Sequence, residues 1–526
     1  MFNYRWRGVV GMEQRVRAGW REWTGLALLA LPTLLLGLDV TALYLAVPSL
    51  SADLEPTATE TLWIMDAYGF FIAGFLITMG TWGDRVGRRR LLMIGVAAFG
   101  AASVFAAFAP SALWLIVARA LLGVAGATLM PSTLSLISNM FTDVRQRASA
   151  IGVWATMFAL GMAAGPVTGG ALVAGFWWGA AFLVAVPVAV LVLAGAPVPL
   201  PEYRTSGGRP DLPSVGLSLA AMLPIVYALK HAAVQGLDAQ ASIAALVGGG
   251  AAAAFVRRQL RLSEPLLDME LFTGRAFRAA LSALLLGLVG FGGVMFLVTQ
   301  YLQLVEGLSP MAAGLWMGPP ALAMLVGALG APLLAGRMSP GVVMSAALAL
   351  SLLGYVLLAL AGTGSRPSVI AGFAFAYLGL GVIAALGTDI VVGAAPSEKS
   401  GSAAALSETV QELGVAVGVA LLGSLTTVLY RSGVEAPSGV TPSVADAYGD
   451  SLSGASSVAD QLPPAAFDAA RTAFTGGLNT AAAAAGIAVA AASLVCFTAL
   501  RHLRPIGDAD READPIALTS MSGDRG

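Results

Sequence analysis

The sequence predicts an all-α polytopic membrane protein, and three observations predict it. Hydrophobic residues make up 57% of its 526 residues and charged residues only 11%, with a mean hydropathy of +0.80. Soluble domains carry charge on about a quarter of their residues. The apolar residues gather into about fourteen runs, most of them near the roughly 20 residues that cross a bilayer. Basic residues concentrate in every second polar break, which is the positive-inside pattern.

The runs lie at 25–47, 62–82, 91–109, 112–133, 148–170, 179–196, 212–230, 239–256, 276–300, 310–333, 339–361, 369–393, 401–429 and 475–500. With fourteen spans the two termini share a side. The breaks on that side hold 24 of the 29 Lys and Arg residues, while the opposite breaks hold only Lys230, Arg366, Arg431 and Arg471. Arg119 lies inside a run. One missed helix would scramble that bias, so both termini are expected in the cytoplasm. The first run is too long for a signal peptide and no small-residue cleavage site follows it, so it is expected to stay as a span.

Composition also excludes function classes. Cys496 is the lone cysteine and His231 and His502 the only histidines, so no intramolecular disulfide, cysteine metal cluster or His/Cys catalytic set is expected. Gly290–Gly293 is a glycine cluster inside a run with no strand before it, and it reads as packing rather than a nucleotide loop. A Walker lysine motif and a sizeable cytoplasmic sensor domain are both missing from the sequence. A net charge of −1 gives no reason to expect a nucleic-acid partner.

Taken in order, the first run carries one ionisable group, Asp39. A charge at helix-centre depth costs about 3 kcal/mol even on lenient scales, so Asp39 is expected to face a bundle interior. The second run opens with Trp63, Asp66 and Tyr68. Trp63 and Asp66 are three apart and share nearly one helix face. An aromatic beside a carboxylate suits an organic cation, through cation–π and Coulomb attraction. The glycine-punctuated turn GTWGDRVGRRR (80–90) follows, with its arginines at the inner headgroups. Arg119 in the fourth run cannot lose its charge and needs a carboxylate or several carbonyls. In the fifth run Gly161, Gly165, Pro166, Gly169 and Gly170 make a smooth, kinked face for close helix packing. In the thirteenth run Glu408 and Glu412 are four apart on one face, and their repulsion favours a proton on one of them. Asp389 stands near the cytoplasmic end of the twelfth run. Three stretches read as non-spanning: the linker 197–213, a basic segment 255–278 expected to be partly an amphipathic surface helix, and a long external loop 431–474 whose AAFDAARTAF part looks helical.

These motifs carry a resemblance. The 80–90 turn, with Gly80, Asp84, Arg85, Gly87, Arg88 and Arg89, resembles the signature loop between the second and third spans of the major facilitator superfamily. Arg119 and Gly123 resemble its fourth-span R-x-x-x-G, which implies an arginine that biases a nearby acid in proton transfer. The Gly161–Gly170 string resembles the antiporter signature G-x-x-x-G-P-x-x-G-G. Leu38 to Pro48 resembles L-D-x-T-x-x-x-x-A-L-P, and Trp63 to Tyr68 resembles W-x-x-D-x-Y, both of the fourteen-span drug:proton antiporter family. The QacA-like and LfrA-like multidrug efflux pumps form the group it looks most like. Tyr44 and Val47 depart from the usual residues there and leave substrate preference open.

The resemblance implies a major facilitator fold of two six-helix bundles plus two additional central transmembrane helices. It implies bundles over 1–196 and 276–500, a linker with the inserted spans over 197–275, and a tail over 501–526. It implies proton-coupled export of lipophilic, mainly cationic compounds by alternating access: quaternary ammonium antiseptics, dyes and antibiotics. The pump would be a monomer in the bacterial cytoplasmic membrane, surrounded by lipid, driven by the proton gradient and without a cofactor or metal. A dedicated exporter of one antibiotic or metabolite is the alternative. The coupling residues it implies are Asp39, Asp66, Glu408, Glu412, Arg119 and Asp389. The cavity residues are Asp39, Trp63, Asp66, Tyr68, Glu408 and Glu412.

Overall fold

A computed structural model describes residues 18–141, 144–203, 211–235, 238–262, 265, 269–394 and 400–505. The arginines before residue 18 and those of the tail beyond 505 lie outside the described residues. Every apolar run is helical. The order is α1 (Trp20–Leu54), α2 (Ala58–Val86), α3 (Arg88–Ala107), α4 (Ala112–Met140), α5 (Val144–Gly175), α6 (Ala180–Leu183), α7 (Ala185–Gly195), α8 (Leu212–Gln235) and α9 (Ala239–Gln259). There follow α10 (Arg275–Gln300), α11 (Pro310–Trp316), α12 (Gly318–Ala335), α13 (Pro340–Ala359), α14 (Arg366–Gly393), α15 (Ser400–Gly433), α16 (Pro442–Asp450), α17 (Leu452–Ser457) and α18 (Pro464–Leu500). Among the described residues, eleven helices are long and apolar enough to cross a membrane; Ala180–Gly195 and Leu212–Ala228 are shorter apolar helices.

Four boundaries differ from expectation. The sixth run is broken between α6 and α7, and the tenth breaks at Met317 before Gly318, Pro319 and Pro320. Proline lacks the amide that would continue the ladder, so a new helix starts there. α18 begins at Pro464, well before the expected 475, because AAFDAARTAF continues into the last span and shortens the external loop. In place of the amphipathic surface helix, α9 runs on to Gln259 and only a 3-10 turn, Met269–Thr273, precedes α10; residues 263–264 and 266–268 of that segment lie outside the described residues.

Packing repeats itself. In the first half α1 lies on α5, α2 on α4, and α3 on both α4 and α6–α7. In the second half α10 lies on α15, α12 on α14, and α13 on both α14 and α18. The halves meet along two seams that exchange the same pair of elements: α2 on α15, and α5 on α11 and α12. α8 pairs with α9 and also leans on α2 and α15. There Val226 joins Phe70, Ala416 and Ala420 in a separate apolar cluster, so α8 fills the groove of one seam. Just before α8 and near the end of α9, Asp211 accepts from Arg258 Nε at 2.9 Å and Nη2 at 2.7 Å. Those hydrogen bonds hold the Asp211 carboxyl below its usual range.

The glycines of α5 explain the α1–α5 contact. A Cβ at Gly161 would overlap the Leu34 carbonyl, one at Gly165 the Thr41 hydroxyl, and one at Gly169 the Ala42 carbonyl. Gly37 of α1 meets the Phe158 backbone in the same way. Thr41 Oγ1 donates to the Met162 carbonyl at 3.0 Å, which a bulkier spacing would break. Gly170 and Pro166 turn the other way. Gly170 meets the Pro310 backbone, and Gly314 of α11 meets the Pro166 backbone. One ten-residue stretch thus packs the first half internally and joins it to the second. The Gly290–Gly293 cluster repeats the device, with Gly292 against Val415 and Gly293 against Gly418 and Leu422 of α15.

Gly161→Val is expected to cost at least the 1–3 kcal/mol typical of overpacking, roughly. Gly152→Ala, on the same helix with open space at its Cβ, should stay within about 0.5 kcal/mol. Thermal unfolding of the two purified variants in detergent checks the contrast.

Candidate functional site

The polar centre of the first half is built on Arg119. α4 places it two turns from the helix start among apolar neighbours, and the residue is 2% exposed. Its guanidinium donates through Nη1 to Asp39 Oδ2 at 2.8 Å and through Nε to the Ile64 carbonyl of α2 at 3.1 Å. Its Cζ lies 4.6 Å from the Tyr68 ring centroid and 5.9 Å from that of Phe182. Three helices and the α6 turn therefore converge on one charge. A permanently charged group in a dry bundle survives when its donors meet acceptors and its faces meet π clouds.

Asp39 reaches this position because Gly37 and Thr41 press α1 onto α5. Beside it, between α1, α5, α6 and α7, is a cavity of about 10 Å³, room for about one water. Asp66 is 1% exposed on α2, and Tyr68 is 3% exposed. Gly123, one turn along α4 from Arg119, lets the α2 backbone at Tyr68 approach directly. Tyr44 is buried on α1 within electrostatic range of Asp66, Arg119 and Glu412, and its ring stands 6.4 Å from Phe296 of the second half.

Glu408 and Glu412 come from α15 and are half-buried. Glu412 faces the first half across the α2–α15 seam: its backbone and carboxylate flank the place where a Gly69 Cβ would stand. It is within electrostatic range of Glu408, Asp39 and Arg119. Asp39, Arg119, Asp66, Tyr68 and Glu412 thus form one polar centre spanning the two halves. Trp63 packs at its edge, against Phe70 at 6.3 Å in the α8-filled groove. Asp389 is exposed near the C-terminal end of α14, where Thr388 rather than Asp389 turns toward Ser407 and Gln411.

At one end of the bundle, α2 passes into α3 through Gly87, whose φ of +114° is a conformation glycine adopts without strain. Gly80 approaches Pro131 of α4, and the Arg88 guanidinium reaches the Pro131 carbonyl at 3.5 Å. Arg85 is exposed, and the Asp84 side chain lies outside the described residues. Glu202, in the linker, is a residue that motif reading missed. Its Oε1 accepts from the Arg89 amide at 3.1 Å, and its carboxylate lies 3.9 Å from both Arg89 Nε and Arg90 Nε. An acid at the first turn of α3 offsets the helix dipole. The only signal for it was an acid placed soon after the sixth span, opposite a run of arginines.

A repeated helical bundle with charge held at its centre defines a multi-pass membrane transporter rather than an enzyme. Residues 29–419 match the Major Facilitator Superfamily model, and the chain belongs to that superfamily. It is 44% identical over 500 residues to the multidrug efflux pump LfrA of Mycolicibacterium smegmatis, covering 94% of this chain and 99% of that one. It is 34% identical to the methyl viologen resistance protein SmvA of Salmonella typhimurium, covering 89% and 96%. Among solved structures, a bacterial homologue of the human lysosomal transporter Spinster, inward-facing and unoccupied, superposes with a TM-score of 0.65 at 16% identity over 92% of this chain and 98% of that one. That likeness concerns the fold alone.

Removing one partner of a buried pair strands the other charge, so Asp39→Asn and Arg119→Gln should each cost about 3–5 kcal/mol. The double variant should cost clearly less than the sum of the two. A double-mutant cycle by thermal unfolding measures the coupling.

Proposed function

We propose that this chain is a proton-coupled multidrug exporter of the bacterial cytoplasmic membrane, exchanging protons for lipophilic, mainly cationic compounds such as quaternary ammonium antiseptics and dyes. The observation that carries the reading is the Asp39–Arg119 pair, buried at the junction of α1, α2 and α4 with Glu412 of the second half in electrostatic range. The names of the two relatives, a multidrug efflux pump and a methyl viologen resistance protein, support it. Methyl viologen is a flat dication, a cargo for which buried carboxylates and tyrosine rings are natural partners.

In this reading the chain has fourteen spans, with α2, α6–α7 and α8 completing the eleven, and both termini face the cytoplasm. The bundles are 1–196 and 276–500, 197–275 carries the two inserted spans, and the pump works as a monomer in lipid, without a cofactor. A proton arriving at Asp39 breaks its pair with Arg119. The freed guanidinium then competes with the bound cation for Asp66 and Glu412, so proton loading and cargo release are coupled by charge. Deprotonation on the inner side restores the pair and leaves Glu412 and Asp66 to the next cation. Each proton moving inward releases about 2.3 kcal/mol per 100 mV, which drives the exchange.

The test is ethidium efflux from proteoliposomes energised by an imposed pH gradient. Asp39→Asn should abolish gradient-driven efflux while leaving dye binding measurable by fluorescence anisotropy. Efflux at the unsubstituted rate would end the assignment. Glu412→Gln should weaken efflux of divalent cations such as methyl viologen more than that of ethidium, by about tenfold if one desolvated charge contact is lost. Competition among a panel of such cations reads the difference.

A further inference from the structure

The external loop between α15 and α18 is fastened to the second half by hydrogen bonds, three of them from hydroxyl groups. Tyr430 OH donates to the Tyr448 carbonyl at 2.8 Å, Tyr448 OH donates to the Ala466 carbonyl at 3.1 Å, and Ser453 Oγ donates to Gln300 Oε1 at 3.3 Å. Tyr430 and Tyr448 are each 1% exposed, so α16 is a rooted part of that half. Asp450, the last residue of α16, does something different. Its Oδ1 takes the Arg431 Nη2 donor of α15, while its Oδ2 accepts at 2.9 Å from the Ala58 amide of α2. That second bond crosses to the first half. α17, which follows at once, also rests on α1.

Ala58 is the first residue of α2, where a backbone amide has no partner within its own helix. Thr57 and Glu60 cap each other there, and Asp450 takes the amide they leave. A carboxylate is the acceptor that a helix N-terminus favours most. Beside this bridge is a partly open cavity of about 40 Å³ lined by Thr61 and Leu62 of α2, Phe296 and Gln300 of α10, Thr426 of α15 and Ser453. Thr426 is 3% exposed, and its hydroxyl has no protein partner. Leu62 is one turn from Asp66 on α2. The bridge therefore sits directly over the outer approach to the polar centre.

We propose that Asp450 is the positioning residue of an external latch. It holds the outer end of α2 to the second half and sets how often the outer side opens. When the halves rock outward, Asp450 keeps Arg431 and releases the Ala58 amide to water, so the latch parts at one hydrogen bond and re-forms without searching. The inference rests on the rocking motion of the proposed exporter, but its test reads loop position and not cargo, so either can fail alone.

The test uses the full chain with Cys496→Ala and a reporter, Thr426→Cys, labelled from outside in right-side-out vesicles by a membrane-impermeant methanethiosulfonate. Asp450→Asn removes the acceptor charge. Ala58→Pro removes the donor N–H at a helix position where proline is favoured, after Thr57 with its extended backbone at φ −61°, ψ 160°. Each is expected to speed labelling about fivefold to tenfold, the scale of losing one charge-assisted hydrogen bond. The double variant is expected to label no faster than the faster single, since both remove the same bond. Unchanged labelling in the singles, or multiplied effects in the double, would overturn the latch. The two singles disturb opposite partners, so if one misfolds the other still decides.

Discussion

A guanidinium that cannot be neutralised, held in the dry middle of a helical bundle, is the constraint around which the first half is arranged. Arg119 needs an anion, a carbonyl and aromatic faces, and it draws Asp39 from α1, Ile64 and Tyr68 from α2, and Phe182 from α6. Each supplier is in place because small residues let helices close in. Gly37, Gly161 and Gly165 bring α1 to α5, and Gly123 brings α2 to α4. In a bilayer, apolar surface alone gives helices no reason to pair, so close backbone packing and buried polar contacts carry the association. Here both arise from the same few positions, which ties the stability of the bundle to the state of one ion pair.

The second half repeats the architecture without repeating the charge. Its α10 and α15 close on each other through Gly292, Gly293 and Gly418 as α1 and α5 do through theirs. Where the first half holds Asp39 at its centre, the second offers Glu408 and Glu412 on α15, at the seam rather than within the bundle. The permanent charge and its counter-ion are thus on one side of the α2–α15 seam and the half-buried acids on the other. The distance between them is therefore set by how α2 and α15 pack at that seam.

Much of this was legible in the sequence, for identifiable reasons. Hydropathy located every helical run because membrane helices must satisfy their backbone internally. The demand of Arg119 for a carboxylate followed from its chemistry, and spacing on α5 announced close packing. Other features depend on contacts between distant segments and leave no local mark. Nothing in PVPLPEY says that Glu202 caps α3, and nothing in ADAYGD says that Asp450 reaches α2. Trp63 shares a helix face with Asp66 by periodicity, yet α8 offers it an apolar groove, and packing settled its place. The breaks at α6–α7 and α11–α12 and the early start of α18 fell where apolar composition continues unbroken through a change of backbone course.

The wedge of α8 in the α2–α15 groove makes the two flanks of the molecule unequal. On that flank α8 covers the seam, packed onto α2 and α15 through Phe70, Val226 and Ala416. On the opposite flank α5 meets α11 backbone to backbone at Gly170 and Gly314. The hairpin of α8 and α9 therefore makes two halves of like packing unequal at their seams, one covered by a further helix and the other closed backbone to backbone.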